Sequence, residues 1–245
     1  MAKRSVAGVP TGFTKIGNVP ELTIDIEVTK FEHKESESGS RLIDVVIIQE
    51  KKGTFNFVAE SLSLENLSVG LWGESAVVAS GTVSGGSEVI TIPTATPAGA
   101  IFPLAHPRVT SVVVTGSGGT PSYAEGTDYD VDAVNGAITV KGAIVTDAAS
   151  SDITIEPAYS YAGYTKMDAF TQATAPERWL RFHGLNTINN DAVIIDMFRA
   201  QFDPLTGYGL INEELGSVTM QGTLLADDLR VTGSKFFQER ISAAA

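Results

Sequence analysis

The amino-acid sequence is divided into many short segments rich in β-branched residues, and this pattern excludes most helical architectures. Its 24 glycines and 10 prolines separate these segments from one another. Apolar and polar side chains alternate strictly from Leu22 to Thr29, which is the period of a strand with one buried and one exposed face. Further strands are predicted at 41–49, 54–60, 176–185, 192–202 and 215–226. The predicted fold class is therefore mainly β.

One segment, residues 61–73, has a helical period instead. Leu64, Leu67 and Leu71 recur at spacings of three and four residues. A preceding serine can cap the first turn, and Gly73 can end the last one. We expect one short α-helix beside the sheets.

Residues 76–165 differ in composition from the rest of the chain. Two basic side chains stand there against eight acidic ones, so this stretch carries half of the net charge of −12. Strands are predicted at 87–92, 108–115, 129–134, 137–140 and 152–158, with a type I′ turn at Asn135-Gly136 and no helix. The sequence thus predicts a small all-β, Ig-like sandwich at 76–165, inserted into a discontinuous domain of residues 1–75 and 166–245.

The charge and the amino-acid usage exclude several classes of function. A net charge of −12 argues against a protein that grips nucleic acid or an anionic membrane, because such binding depends on clustered Lys and Arg. The absence of cysteine excludes disulfides and thiolate metal sites. Apolar runs such as Val45–Ile48 are far shorter than the ~20 residues that span a bilayer, and the first 13 residues lack the apolar core of a secretory signal. We expect no membrane insertion of this chain.

No motif in the sequence indicates catalysis, a metal or a cofactor. The histidines are far apart, the Asp128–Asp132 run lacks the glycine and glutamate of a calcium loop, and 116–121 has a proline where a dinucleotide fingerprint needs glycine. Adjacent acidic residues are expected by chance among 29 acids. We therefore expect no enzyme, although a hydrolase that uses such a carboxylate pair stays open. The residues weighed are His33, His106, His183, Asp128, Asp130, Asp132, Glu213, Glu214, Asp227 and Asp228.

The order of the predicted elements resembles that of the major tail tube proteins of long-tailed, siphovirus-type bacteriophages. An arm leads to an alternating strand, a long charged loop at Glu32–Ser40, two strands, a short helix, an inserted β module, returning strands and a terminal arm. The resemblance covers most of the chain. It is carried by three segments, Gly17–Gly73, Arg178–Arg230 and Tyr123–Ile138. The segment Tyr123–Ile138 is similar to a sequence motif common in insertions of these proteins.

This resemblance implies a tail-tube-type β-sandwich of two sheets flanked by a helix. Six copies would join their inner sheets into a ring, and rings would stack into a tube. Strands Leu22–Phe31 and Arg41–Gln49 would contribute to the inner sheet, and the arms Met1–Asn18 and Phe236–Ala245 would bridge subunits. The residues implied to contact the adjacent ring are Glu32, Lys34, Glu35, Glu37 and Arg41.

The polar face of the first strand gives a hypothesis for the lumen of such a tube. Asp25 and Glu27 lie opposite Leu22, Ile24 and Ile26. If this face lines the channel, the carboxylates repel DNA over a Debye length of about 8 Å. The alternative is a solvent-exposed outer face.

The resemblance also implies partners and a location. The implied partners are further copies of the chain, a tape measure protein in the lumen during assembly, tail tip and terminator proteins at the tube ends, and double-stranded DNA that passes without specific binding. The protein would be part of the virion tail and would assemble in the cytoplasm of the bacterial host.

The size of the insertion bears on the type of tail. A module of 90 residues does not fit in a channel that admits DNA, so we expect it to project outward and to favour a non-contractile tail. The main alternative function is a β-rich surface adhesin or carbohydrate-binding module of a virion. It would need exposed aromatic side chains, for which the candidates are Tyr123, Tyr129, Tyr159, Tyr161 and Tyr164.

Overall fold

The chain forms two compact units, each with its own hydrophobic core. A computed structural model describes residues 1–37, 39–211 and 216–242. The first unit comprises 1–75 and 167–245, and the second comprises 76–166. The roles expected for the two predicted domains, a tail tube domain and an outward-facing module, stay predictions.

The described part of the chain is mainly β, which confirms the predicted fold class. Two short helices and a 3-10 turn at Ser117–Gly119 accompany the strands. In chain order the elements are β1 (Ala2–Lys3), β2 (Glu21–Lys34), β3 (Ile43–Ala59), α1 (Leu64–Gly70), β4 (Glu74–Val78), β5 (Gly81–Val83), β6 (Ile90–Ile92), β7 (Ile101–Pro103), β8 (Val109–Gly116), β9 (Ser122–Tyr123), β10 (Tyr129–Asp132), β11 (Ala137–Val140), α2 (Gly142–Asp147), β12 (Ile153–Tyr161), β13 (Tyr164–Asp168), β14 (Glu177–Leu185), β15 (Ala192–Phe202), β16 (Val218–Leu224) and β17 (Phe237–Ser242).

The first unit is built on a single antiparallel sheet of seven strands. Hydrogen bonds connect them in the order β1–β14–β15–β16–β3–β2, and β17 pairs with β15. The resemblance implied two sheets. In this chain the β15–β16 ladder joins all strands into one sheet through three residue pairs, from Ala200↔Leu224 to Phe202↔Gly222.

The strand β3 is longer than the sequence predicted. Two strands were expected at 41–49 and 54–60, but residues 43–59 form one continuous strand. Lys51, Lys52 and Gly53 interrupt the apolar pattern, yet they remain paired with β2. Because this ladder satisfies their backbone groups, the change in side-chain polarity does not end the strand.

Packing of aromatic rings holds the first unit together. Phe55 and Phe57 of β3 and Phe202 of β15 are almost fully buried. The rings of Phe55 and Phe202 meet edge-on with their centroids 5.0 Å apart. Strands β3 and β15 thus contribute to one core, although β16 lies between them in the sheet.

The predicted short helix is present as α1. Ser63 is its N-cap and accepts a hydrogen bond from the backbone N–H of Asn66 at 3.2 Å. Leu67 is buried in the core, as the helical spacing of the leucines indicated. Asn66 is also buried, and its amide donates to the carbonyls of Ile16 and Ser61.

Both terminal segments fold onto their own unit in the described structure. Residues 237–242 form β17 along β15, where the sequence predicted an extended arm at 236–245, of which 243–245 lie outside the described residues. Phe237 packs against the core, and Arg240 forms an ion pair with Asp196. At the other end, Met1 is buried and Arg4 lies 2.8 Å from Asp227. These contacts favour folded-back segments, and a bridging role between subunits stays a prediction.

The second unit contains two small sheets around a common core. One has the strand order β10–β11–β7, and the other has the order β5–β12–β8–β9 with β6 also on β12. Strands β4 and β13, where the chain enters and leaves this unit, pair with each other. The helix α2 was not predicted. Its sequence is rich in residues of β propensity, but Ile144 is fully buried in the core, and this burial decides the local structure.

The hairpin predicted at Asn135-Gly136 is present, but its turn is longer than a type I′ turn. Asp132 pairs with Ala137, so the connection has four residues, 133–136. The Asp132 carboxylate accepts hydrogen bonds from the backbone N–H groups of Val134 and Asn135. Gly136 takes a positive φ of 67°, which a side chain there would strain.

Candidate assembly surface

The most unusual surface of the first unit is the outer part of the β2–β3 hairpin. Strand β16 pairs with β3 only as far as Gly53. Beyond that residue, within the described part of the chain, β2 and β3 pair only with each other. We call residues 26–52 the distal hairpin. A two-stranded hairpin is marginally stable in water on its own.

The distal hairpin exposes apolar side chains on both faces. The pairing with β2 places Ile26, Val28, Val46 and Ile48 on one face and Phe31, Val45 and Ile47 on the other. These seven side chains are 39–66% exposed. Exposed apolar area of this kind marks an interaction surface, because burying it would contribute about 25 cal/mol per Å². The apolar run at 41–49 was predicted as a strand. Because successive side chains of a strand point to opposite faces, a nearly continuous apolar run places apolar side chains on both faces.

Asp25 and Glu27 lie on the polar face of β2, as the alternation predicted. Both are exposed. Asp25 lies opposite Thr54, and Glu27 lies opposite Lys52 on β3. Lys52 therefore offsets part of the negative charge of this face.

The loop predicted at Glu32–Ser40 begins later in the structure, because β2 continues to Lys34. Glu32 and Lys34 belong to β2, opposite Val46 and Ile43, so they are strand residues and not loop residues. The reason is again the ladder with β3, which satisfies their backbone. Ser38, which falls within the predicted loop Glu32–Ser40, lies outside the described residues.

Glu35, Glu37 and Arg41 remain in the connection between the two strands. The Glu35 carboxylate accepts the backbone N–H of Glu37 at 2.8 Å, and Arg41 has a positive φ of 52°. Nearby, His33 Nδ1 lies 2.6 Å from the Asp44 carboxylate. This hydrogen bond is the main cause of a lowered pKa at Asp44. No role was predicted for His33, whose partner lies 11 positions further along the chain.

The acidic run of the second unit serves its own fold. The carboxylate of Asp128 accepts the backbone N–H groups of Ala124 and Ala143, and Asp130 forms an ion pair with Lys141 at 2.7 Å. Asp132 shapes the turn that follows it. In the ranges that the structure describes, no three His, Asp or Glu side chains are grouped as metal ligands would be.

Most of the tyrosines considered for glycan binding are buried. Tyr123, Tyr129 and Tyr159 are 2–6% exposed and belong to the core of the second unit. Tyr161 is partly exposed, but the ring of His106 stacks on it at 3.7 Å. These tyrosines therefore do not form a row of exposed aromatic rings on which a sugar could stack.

The two acidic pairs do not form a described site. Glu213 and Glu214 lie outside the described residues. Asp227 is buried beside Arg4, whereas Asp228 is exposed and forms an ion pair with Lys235. The third histidine, His183, is exposed on β14.

Sequence reasoning missed a buried ionic cluster around Asp196. Its carboxylate, only 2% exposed, accepts two hydrogen bonds from Arg181, at 2.6 and 2.9 Å, and one from Trp179 at 3.1 Å, and Arg240 is a further partner. Burial opposes ionisation of Asp196, but the bonds from Arg181 and Trp179 outweigh it and lower the pKa. A lone carboxylate inside the apolar run 192–198 was the available signal, because a buried charge requires a partner.

None of the helices in the described ranges has the length and apolar content that a bilayer crossing requires.

Comparison with known proteins gives two findings. A family model described as "Protein of unknown function UCP028589" matches residues 1–239. The tail sheath protein of Burkholderia phage BcepMu is 40% identical to this chain over 67 residues, which are 27% of this chain and 13% of the sheath protein. The chain therefore spans about an eighth of the length of this relative.

Proposed function

The chain belongs to the family described as "Protein of unknown function UCP028589", and we propose that it is a structural subunit of a bacteriophage tail. The similarity to a phage tail sheath protein supports a structural role in a virion, although it covers only 67 residues. More specifically, we propose that the chain forms the tail tube, as hexameric rings that stack around a channel for viral DNA.

The observation that carries this proposal is the distal hairpin. Its apolar side chains are 39–66% exposed on both faces, so the described residues cover each face only in part. Strand β2 is also an edge of the seven-stranded sheet over 14 residues. An edge of this length invites pairing with another chain, and a closed ring of sheets removes such edges. A subunit that is designed to assemble explains both features.

The polar face of β2 supports a lumen that does not bind DNA. Glu21, Asp25 and Glu27 on this face are acidic, and Glu50 and Lys52 lie beside them on β3. On this face, β2 residues 21–29 and the β3 residues 50–58 opposite them carry four acidic side chains and one basic side chain, Lys52. The face is therefore acidic in net charge. An acidic wall repels the phosphates of DNA and leaves them hydrated.

The remaining partners follow from the tube proposal. A tape measure protein would occupy the lumen during assembly, and tip and terminator proteins would close the ends. The second unit would project outward, which favours a non-contractile tail.

A second candidate function is a tail sheath subunit, which the name of the relative favours. A tube and a sheath differ in the diameter of the ring, because a sheath surrounds a tube. An adhesin is the third reading, and it predicts a monomer or a small oligomer.

Electron microscopy of the purified chain tests the proposal. We expect the concentrated protein, alone or with the tape measure and tip proteins of the same phage, to form stacked sixfold rings with a narrow central channel. Rings wide enough to enclose a tube would indicate a sheath. A chain that stays monomeric with those partners would contradict both assembly functions and favour the adhesin.

A variant pair tests the lumen assignment. Asp25→Asn with Glu27→Gln keeps the size and hydrogen bonding of both side chains but removes their charge. We expect tubes to form and the release of DNA from phage that carry them to slow, since the wall then repels phosphates less. The matched control is Asp203→Asn with Glu239→Gln, two exposed acids outside the distal hairpin. Equal release rates for both pairs would assign Asp25 and Glu27 to an outer face.

A further inference from the structure

The seven-stranded sheet has a second open edge besides β2. Strand β1 pairs with β14 only at Trp179 and Arg178. On that side of β14, no described strand pairs with residues 180–185. One copy of the chain therefore offers an open edge on β14 that differs from the β2 edge, and two unlike surfaces are the requirement for head-to-tail assembly.

A groove lies beside this second edge. It has a volume of about 670 Å³ and is lined mainly by apolar side chains, among them Phe13, Ile16, Leu180 and Phe182. Phe13 and Phe182 are 42% and 37% exposed. The groove is thus an apolar surface that the chain itself covers only in part.

The described residues that line the groove include basic side chains and no acidic one. Lys15 and Arg181 are the basic members, and Arg181 is also ion-paired with Asp196, so Lys15 is the basic side chain of the groove with no such ion pair. This contrasts with a chain whose net charge is −12. An acidic segment of a second copy complements Lys15, and the β2 segment 21–29 is such a segment without a basic side chain.

We propose that the β2 edge of the distal hairpin of one copy adds as a strand to residues 180–185 of β14 in the next copy. Ile26 and Val28 of the first copy then pack beside Phe182 and Phe13 of the second. The backbone of β2 supplies the hydrogen bonds, so neutral amides at Asp25 and Glu27 weaken the attraction to Lys15 but leave the strand pairing in place. This inference rests on the proposed function and assigns the two surfaces that meet within a ring.

Cross-linking tests the contact directly, because the chain contains no cysteine. Subunits with Thr29→Cys on β2 are mixed with subunits that carry His183→Cys on β14, and a short bis-maleimide is added. We expect covalent dimers that contain one subunit of each kind. The control replaces the first partner with Thr110→Cys, an exposed threonine on β8. A yield no higher than that of the control would overturn the proposed contact.

A substitution in the groove provides a second test. Phe182→Asp should raise the concentration needed for assembly by about tenfold or more, because a buried interface aromatic contributes at that level. Phe170→Asp is the matched control, since Phe170 is 70% exposed and does not line the groove. Thermal unfolding of each variant shows whether it is folded.

The two proposals fail in different ways. This contact alone is contradicted if the wild-type chain forms rings, the Thr29→Cys and His183→Cys subunits cross-link no better than the control, and Phe182→Asp assembles as well as the wild type. A wild-type chain that stays monomeric would contradict the proposed function and this contact together.

Discussion

Asp196 is expected to be the most important single charge for the stability of the first unit. The substitution Asp196→Asn keeps the shape of the side chain and removes its negative charge. Arg181, Arg240 and Trp179 would then share one neutral amide in place of a carboxylate. Because Asp196 is only 2% exposed, water cannot replace it as a partner of these groups without local opening.

The expected cost follows from the exposure of the partners. Removing one partner of a fully buried ion pair costs about 3–5 kcal/mol. The side chains of Arg181 and Arg240 are 33% and 49% exposed, so both can regain some hydration. We therefore expect the free energy of unfolding to fall by about 2–3 kcal/mol. At 2–4 °C per kcal/mol for a unit of this size, Tm should fall by about 4–12 °C.

Thermal unfolding followed by circular dichroism measures this change, with Asp228→Asn as the control. Asp228 is 82% exposed and pairs with Lys235, so solvent screens this ion pair and its loss should change the stability little. If the two variants unfold at the same temperature, the reasoning about the Asp196 cluster is wrong.

The same cluster predicts a dependence on pH. The folded-state pKa of Asp196 is lowered, so its contribution to stability is present above the ordinary carboxyl pKa and is lost as the pH falls through the lowered value. The wild-type chain should therefore lose more stability on acidification than Asp196→Asn does. Parallel acid unfolding curves of the two proteins would contradict this assignment.

Three further predictions concern the cores and the second unit. Phe202→Ala should destabilise the first unit by about 3–5 kcal/mol, because the ring packs against Phe55, and hydrogen exchange should show the loss in residues 1–75 and 167–242. Gly136→Ala should destabilise the second unit by about 3 kcal/mol, since φ is positive and a Cβ there would lie 2.1 Å from the His106 carbonyl oxygen; unchanged exchange in 76–166 would contradict this. Burial and the hydrogen bond to Asp147 raise the pKa of Tyr123 to about 12, and the pKa values of Tyr129 and Tyr159 are raised too, so Tyr123→Phe should reduce the late step of a tyrosinate absorbance titration by the absorbance of one residue. The neutral phenol is favoured in the fold, and the second unit should therefore lose stability as the pH rises from about 10 towards 12.

Sequence reasoning succeeded where one side-chain period persists over a whole element. The alternation at Leu22–Thr29 has the period of a strand and the leucine spacing at 64–71 has the period of a helix, and both elements are present. It failed where pairing partners decide the structure. Lys51, Lys52 and Gly53 look like a break, and only the ladder with β2 keeps them in a strand.

The candidate surface was predictable in position but not in extent. The polar face with Asp25 and Glu27 follows from period two alone. Glu32 and Lys34 were expected in a loop because their side chains are charged, whereas strand formation there depends on partners 14 and nine positions away on β3. The groove beside β14 combines residues of the first 22 positions and Phe57 with residues from 180 to 197, and no local pattern brings these together.

The exposed apolar side chains of the distal hairpin have a consequence for handling the isolated protein. The same seven side chains that an assembly would bury also favour non-specific aggregation of the isolated subunit. Solubility and assembly competence are thus opposed in one segment of the chain. If the subunit assembles as proposed, a charged residue at Ile26 or Ile48 would make the free subunit easier to concentrate and would also weaken its polymerisation. A screen for high soluble yield would then select variants that no longer assemble.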